Sequence, residues 1–265
     1  MAKLNPNFSF TGSLGNLSAY PMKGVEGIVV RTKGGATKEK IKTSPKFERT
    51  RELNAEFGGR ATASQWIMHA LWPQKALADY NMAGPVNALV KVIQVLDTES
   101  THGKRHIVLS KNPRLLEGFS LNRKNPFDST LRNPVGYAVS REGLSAHIGI
   151  PALLPGINFF GPNNYPMYSL QAILGIVPDL FCTNNKYQPS DTGYILNDFT
   201  AAFTGWYPMQ QGSPALALDI QLPRVPPDAS FSLMLSIGIR YGRMIDASTV
   251  QQVKHVGCAK ILAMA

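Results

Sequence analysis

Between residues 231 and 241 the chain reads Phe-Ser-Leu-Met-Leu-Ser-Ile-Gly-Ile-Arg-Tyr, with large apolar side chains at every second position. Successive residues of an extended chain point to opposite faces, so this period lines one face with Phe231, Leu233, Leu235, Ile237, Ile239 and Tyr241. The other face holds Ser232, Met234, Ser236, Gly238 and Arg240. A helix of the same composition would scatter the large residues around its axis. The expected element is a half-buried antiparallel strand, which needs partners. Candidates lie at 106–109, 118–121, 135–139, 144–150, 168–177, 199–207, 216–222 and 255–264, separated by Pro, Gly and Asn turns. Gly143 is available for the positive φ that a hairpin between two of them would need. Residues 153–166, with two prolines and two glycines before Tyr165, read as a long structured loop. Many short strands with turn residues between them predict an antiparallel β-sandwich over 101–265.

Upstream the period changes. Ser44 before Pro45 reads as a helix start. Phe47, Leu53 and Phe57 form an apolar set, Gly58-Gly59 predicts an interruption, and Trp66, Ile67, Ala70 and Leu71 form a second stripe ending at Pro73. Val86, Leu89, Val90, Ile93 and Leu96 mark an amphipathic helix over 85–96. These predict a small helical unit over 44–100. Residues 1–43 read as an arm, strand and basic loop. Phe8, Phe10, Leu14, Leu17 and Tyr20 are set in an uncharged, glycine-spaced stretch that predicts an extended arm or hairpin. The strand 27–33 ends at Gly34-Gly35. The fold class expected is therefore α+β, an N-terminal extended arm and small helical unit followed by an antiparallel β-sandwich. No fixed-period repeat appears, which argues against a solenoid.

The net charge of +10 is unevenly placed. Residues 1–60 hold eleven basic and five acidic side chains, residues 61–132 nine and five, and residues 133–265 seven of each. Arg31, Lys33, Lys38, Lys40, Lys42, Lys46, Arg49 and Arg51 fall within 21 residues, against Glu39 and Glu48. Such a run is a solvated basic face, a contact for an acidic protein surface, or the electrostatic footprint of a nucleic-acid binder. Phe47 and Phe57 read as helix core here and not as base-stacking platforms.

Chemistry-bearing motifs are thin. Lys33-Gly34-Gly35-Ala36-Thr37-Lys38 lacks the spacing that cradles phosphates, and no Gly-x-Gly-x-x-Gly or Gly-x-Ser-x-Gly occurs. His102 and His106 are four apart, but the Gly-Lys-Arg between them brings cations that repel a metal ion, so the segment reads as a basic turn. His255 and Cys258, three apart on a strand, face opposite ways. His69, between Trp66 and Trp72, reads as a packed or interface residue. Cys182 and Cys258 make neither a disulfide framework nor a four-thiolate zinc site. The acidic residues after 178 stand singly in turns. No catalytic residue, cofactor or metal is expected, and the expectation is that the protein is not an enzyme. No apolar run is long enough for a membrane span. The opening residues lack a secretory h-region, which predicts cytoplasmic synthesis with the final location open, release or a particle included.

Residues 11–67 carry a Thr-Gly-Ser-Leu-Gly-Asn arm, a Val-Val-Arg-Thr-Lys-Gly-Gly strand end and the basic helix Phe47-Glu48-Arg49-Thr50-Arg51-Glu52. In these they resemble a group of uncharacterised bacterial proteins abundant in Bacteroidetes genomes, and the β-rich second half resembles the sandwich modules with which such proteins end. The resemblance covers under a quarter of the chain, brings no catalytic motif and implies a structural class. Together the readings point to a self-assembling subunit of a filament, tube or particle, cellular or phage-derived. Its partners are copies of itself, reached by adding the N-terminal arm to a neighbour's sheet edge. The alternatives are a nucleic-acid-binding module using Arg31–Arg51 and a carbohydrate-active enzyme or binding protein using Phe159, Phe160, Trp206 and Tyr207.

Overall fold

A computed structural model describes residues 2–3, 10–162, 164–246 and 248–265. It divides into two compact units, Met1–Arg51 and Glu52–Ala265. Both are built on antiparallel sheet, and the whole is a β-rich α+β fold.

The first unit holds a four-stranded sheet of β1 (Ala2–Lys3), β2 (Gly12–Leu14), β3 (Leu17–Pro21) and β4 (Ile28–Thr32), in the order β1-β4-β3-β2. The stretch read as an extended arm or hairpin is, over its described part, a hairpin. Leu14 pairs with Leu17 across a two-residue turn, and β3 continues the ladder onto β4 from Leu17↔Thr32 to Pro21↔Ile28. The turn is possible because Gly15, at φ +56°, occupies the left-handed region that glycine enters freely. Among the described residues, the backbone groups expected to seek a neighbouring subunit therefore find their own chain along β3, and β2 is an edge strand whose outer side is unpaired. After the sheet come α1 (Lys38–Thr43) and a 3-10 turn at Pro45–Phe47. Pro45 takes the first helical position as expected, but the Ser44 side chain makes no capping bond; Thr37 does, accepting from Lys40 N–H at 3.2 Å.

The second unit has three layers. In the middle lies a large sheet with β10 (Phe199–Phe203), β7 (Met167–Pro178), β13 (Phe231–Met244) and β14 (Val250–Met264) side by side, and β11 (Tyr207–Pro208) also on β7. On one face lies the small sheet of β12 (Leu216–Gln221), β6 (Ser145–Ile150) and β5 (Gly136–Ser140). Ile148, Ile150, Leu218 and Ile220 of the small sheet share a core with Leu170, Leu174, Leu233, Leu235 and Ile237 of the large one, so the sandwich closes as the alternation requires.

The opposite face of β13 is not solvated as its serines suggested. Ser232, Met234, Ser236 and Gly238 are all buried beneath the helices. Those are α2 (Glu48–Ala70), a 3-10 segment at Trp72–Leu77 and α3 (Ala83–Val95). Ile67, Leu71, Leu77, Val86, Val90 and Ile93 pack with Val177, Met234, Ala259 and Ile261 in a second core. The helical stretch is thus a layer on the sheet. Small residues mark where backbones approach. A Cβ on Gly175 would lie 2.8 Å from the Ala70 Cβ, and one on Gly238 would lie 2.8 Å from Leu77 Cδ1. The serines and glycines are there for fit against helices, a demand that resembles solvent exposure in sequence.

The helix α2 also runs straight through Gly58-Gly59, where an interruption was expected. A Cβ on Gly59 would sit 2.6 Å from the Tyr187 ring, so the glycine admits that ring at a helix-propensity cost of about 1 kcal/mol. Apart from Ile67, the inward face of α2 is small or polar: Glu56, Gly59, Arg60, Ala63, Ser64 and Ala70. Leu53 and Phe57, expected in the core, are turned outward and exposed. Likewise α3 buries Val86, Val90 and Ile93 but leaves Leu96, just past its end, exposed.

Two anticipated strands contribute single bridges only, Ile107↔Leu180 and Ser120↔Lys260. Residues 118–122 cover the outer edge of β14 instead. Gly118 N–H donates to Ile261 O and Leu121 N–H to Ala259 O, both at 2.9 Å. The unanticipated hairpin of β8 (Phe181–Thr183) and β9 (Lys186–Gln188) turns at Asn184-Asn185, with φ +52° and +58°.

Candidate functional site

The basic segment divides by task. The Arg31 guanidinium lies 5.2 Å from the centre of the Tyr20 ring. Lys33 closes the β2–β3 turn: its N–H donates to Asn16 O at 2.6 Å and its Nζ to Gly15 O at 2.9 Å. Arg51 Nη1 donates to Ile41 O (2.9 Å) and Ser44 O (2.8 Å), satisfying carbonyls that the end of α1 leaves open. Lys38, Lys40 and Lys42 on α1, Lys46 on the following turn and Arg49 are exposed. Lys38 and Lys42 are four apart on the helix and share a side of it. Four lysines within nine residues therefore stay available to an anion, while Arg31, Lys33 and Arg51 also serve the local fold.

The five apolar residues assigned to the arm separate as well. Leu14 on the edge strand β2 is 64% exposed, and Gly12 and Ser13 beside it are exposed too. Leu17, Tyr20 and Phe10 are half-buried, and Phe8 lies outside the described residues. The two groups, arm and basic run, fall in the same unit.

The His102–His106 segment is an anchored loop. Glu56, buried in α2, accepts Gly103 N–H at 3.0 Å and the Arg105 Nε and Nη2 groups at 2.6 Å each. The bidentate Arg105 contact holds the Glu56 carboxyl below its ordinary range, against the opposing effect of burial. Asp97 accepts N–H bonds from Glu99, Ser100 and His106, and these outweigh burial to bring its carboxyl down to about 2. His106 Nδ1 accepts Cys182 N–H at 3.0 Å, which ties the loop to β8. The Arg105 carbonyl accepts from the Tyr187 hydroxyl at 2.9 Å and from Gln94 Nε2 at 3.2 Å. Among the described residues, no group of three or more His, Cys, Asp or Glu is placed to hold a metal ion. His255 is exposed while Cys258 is buried, so the two stay apart. His69 is a packing residue: its ring stacks on Trp72 at 5.3 Å, and its Nδ1 meets Asn197 Oδ1 at 2.8 Å.

The aromatics considered for sugar binding are largely engaged. Phe159 is in the core, and Tyr207 packs 5.9 Å from Tyr168. Trp206 and Phe203 take the Arg240 guanidinium at 4.6 and 4.4 Å, and Phe160 takes Arg132 at 3.9 Å. Phe160 also lines a cleft of about 820 Å3 with Tyr165, Asn164, Gln210 and Gln211, whose lining has no carboxylate or imidazole for acid–base work. Among the described residues one His–Asp pair is formed, His147 Nδ1 to Asp219 Oδ1 at 2.7 Å, as a cross-strand contact on the exposed side of the small sheet.

Sequence reading missed the Glu56–Arg105 anchor, because its partners stand 49 residues apart and nothing local marks them. It missed the β8–β9 hairpin although Asn184-Asn185, the residue type that best tolerates positive φ after glycine, is visible in the sequence. No protein family, curated protein or solved structure matches the chain.

Proposed function

We propose that this is a non-enzymatic structural protein that associates with copies of itself through its N-terminal unit. The observation that carries the proposal is the open edge of β2. Gly12, Ser13 and Leu14 are exposed at every position, in a strand paired on one side only. An edge of this kind templates another strand, and the usual protections, such as a charge or a proline, are missing from Gly12–Leu14. The unit also has little interior: among its described residues only Ala19, Val29 and Val30 are buried. A segment of some fifty residues with so small a core takes its stability from a surface outside itself. The mode differs from an arm lent whole to a neighbour: the hairpin is formed first, and the neighbour extends its sheet. Negative-stain microscopy of the concentrated protein tests this, with Leu14→Lys as comparison. Ordered assemblies that vanish on placing a charge at the edge support it; dispersed single particles in both samples would refute it.

A second reading rests on the exposed lysines of α1. Lys38, Lys40, Lys42 and Lys46 present a positive stripe suited to a phosphate backbone. Replacing the first three by Glu abolishes a salt-dependent DNA or RNA shift if that reading holds and leaves assembly intact.

A further inference from the structure

A cleft of about 710 Å3 in the second unit has a chemistry unlike anything described so far. Its floor is apolar, with Met68, Ala78 and Met82, and Lys75, Lys124 and His255 stand around it. The one carboxylate in the lining is already engaged. Asp79 Oδ1 accepts Arg123 N–H at 3.0 Å, and its Oδ2 accepts Arg123 and Lys124 N–H at 3.1 and 2.8 Å. These three contacts from two backbone N–H groups occupy the carboxylate's acceptor positions. Neither lysine is ion-paired: among the described residues neither Lys75 nor Lys124 pairs with a carboxylate. The Lys75 ammonium rests 4.5 Å from the centre of the exposed Trp72 ring. Arg123 is also at hand, 4.3 Å over the ring of Tyr80, whose hydroxyl donates to Ser120 O.

His255 reaches this place by an irregularity. The β13–β14 register jumps between Arg240↔Gly257 and Gly242↔Gln252, so residues 253–256 bulge from the ladder. Within the bulge His255 sits at φ +59°, a conformation a side-chain-bearing residue adopts rarely. Bulges re-aim side chains beside functional sites, and backbone held in such a region costs about 1–3 kcal/mol that the surroundings must supply.

We propose that this cleft binds a nucleotide, its phosphate held by Lys75, Lys124 and His255 and its base laid on the Met68–Ala78–Met82 floor. Two ammonium groups and an imidazole around one cleft match the double charge and the three terminal oxygens of a phosphate ester better than the single charge of a carboxylate. The apolar floor would be idle under a bare phosphate, and the volume falls within the range of small-ligand sites. The same chemistry is presented by a free nucleotide and by one unit of a single strand.

The test is calorimetric titration of the full-length protein at physiological salt with ADP, pyrophosphate, adenosine and a ten-residue oligothymidylate. The proposal expects saturable binding of ADP or of the oligonucleotide, and weaker binding of pyrophosphate and adenosine, each of which uses half the site. Tighter binding of ADP identifies a free nucleotide as the ligand, and tighter binding of the oligonucleotide a single strand. Lys75→Gln with Lys124→Gln lowers affinity by about 100-fold, roughly tenfold for each lost charge-assisted contact. His255→Gly, which relieves the backbone conformation and so folds at least as well, weakens binding too. Lys38→Glu with Lys42→Glu leaves ADP binding unchanged. No saturable binding of either ADP or the oligonucleotide overturns the proposal. So does undiminished affinity in His255→Gly together with the folded double lysine variant.

Discussion

Replacing Glu56 by Ala removes the acceptor for three donors at once, in a side chain only 3% exposed. Arg105, 13% exposed, would be left as a nearly buried cation without its counter-ion, and Gly103 N–H would lose its acceptor. Breaking a buried ion pair from one side costs about 3–5 kcal/mol, most of it the uncompensated charge left behind. For a unit of this size that is a fall in thermal midpoint of about 6–15 °C. The readout is specific, because Trp66, Trp72 and Trp206 all lie in the second unit, so tryptophan fluorescence during urea unfolding reports that unit alone. Arg105→Ala in the same background closes a double-mutant cycle, and the pair should cost clearly less than the two single changes added together. A loss below about 1 kcal/mol for Glu56→Ala, or strict additivity with Arg105→Ala, would refute the idea that this pair anchors the 97–107 loop to α2.

The two adjacent glycines of α2 should respond oppositely. Gly59→Ala forces a Cβ to 2.6 Å from the Tyr187 ring and costs about 1–3 kcal/mol, while Gly58→Ala meets nothing within 4 Å and gains up to about 1 kcal/mol, both read by urea midpoint. Acid should destabilise the second unit progressively. Glu56 and Asp97 are both held below their ordinary values, so each adds stability at neutral pH; that contribution begins to fade below the unfolded value near 4 and is gone once pH passes the folded value, about 2 for Asp97. Asp97→Asn should therefore flatten the thermal midpoint against pH between about 4 and 2. Burial pushes the Cys258 thiol up to about 12, so a thiol reagent at pH 8 should label Cys258 only after urea unfolds the chain; prompt labelling of both cysteines would contradict its place in the core.

How far the fold was legible depended on whether its cause was local. The period of two in Phe231–Tyr241 gave the strand, its inward face and the sandwich, because each large side chain announces its own side. The second face of that strand was misread because Ser232, Ser236 and Gly238 serve close helix packing, and small residues look alike whether they meet a helix or water. Gly58-Gly59 posed the same ambiguity, since a glycine signals a break unless the ring that needs its missing Cβ is known, and Tyr187 lies far along the chain. The Phe8–Tyr20 stretch was readable as arm or hairpin; Gly15 and the match of Leu14 with Leu17 settle it as a hairpin over its described part. Of the basic run, sequence marked every cation but not the division of labour, because the carbonyls that Lys33 and Arg51 reach, at the Gly15–Asn16 turn and at the end of α1, lie 7 to 18 residues away in the chain. The Lys75–Lys124–His255 cleft was invisible, its members being brought together by the sheet from positions 180 residues apart.

Sedimentation velocity of the wild type and of Ser13→Lys with Leu14→Lys, across a hundredfold range of concentration, tests the proposed role most directly. The account predicts species at multiples of 28.9 kDa that grow with concentration in the wild type and collapse to the single chain in the variant. A wild type that stays at 28.9 kDa throughout, or a variant that assembles equally well, contradicts it.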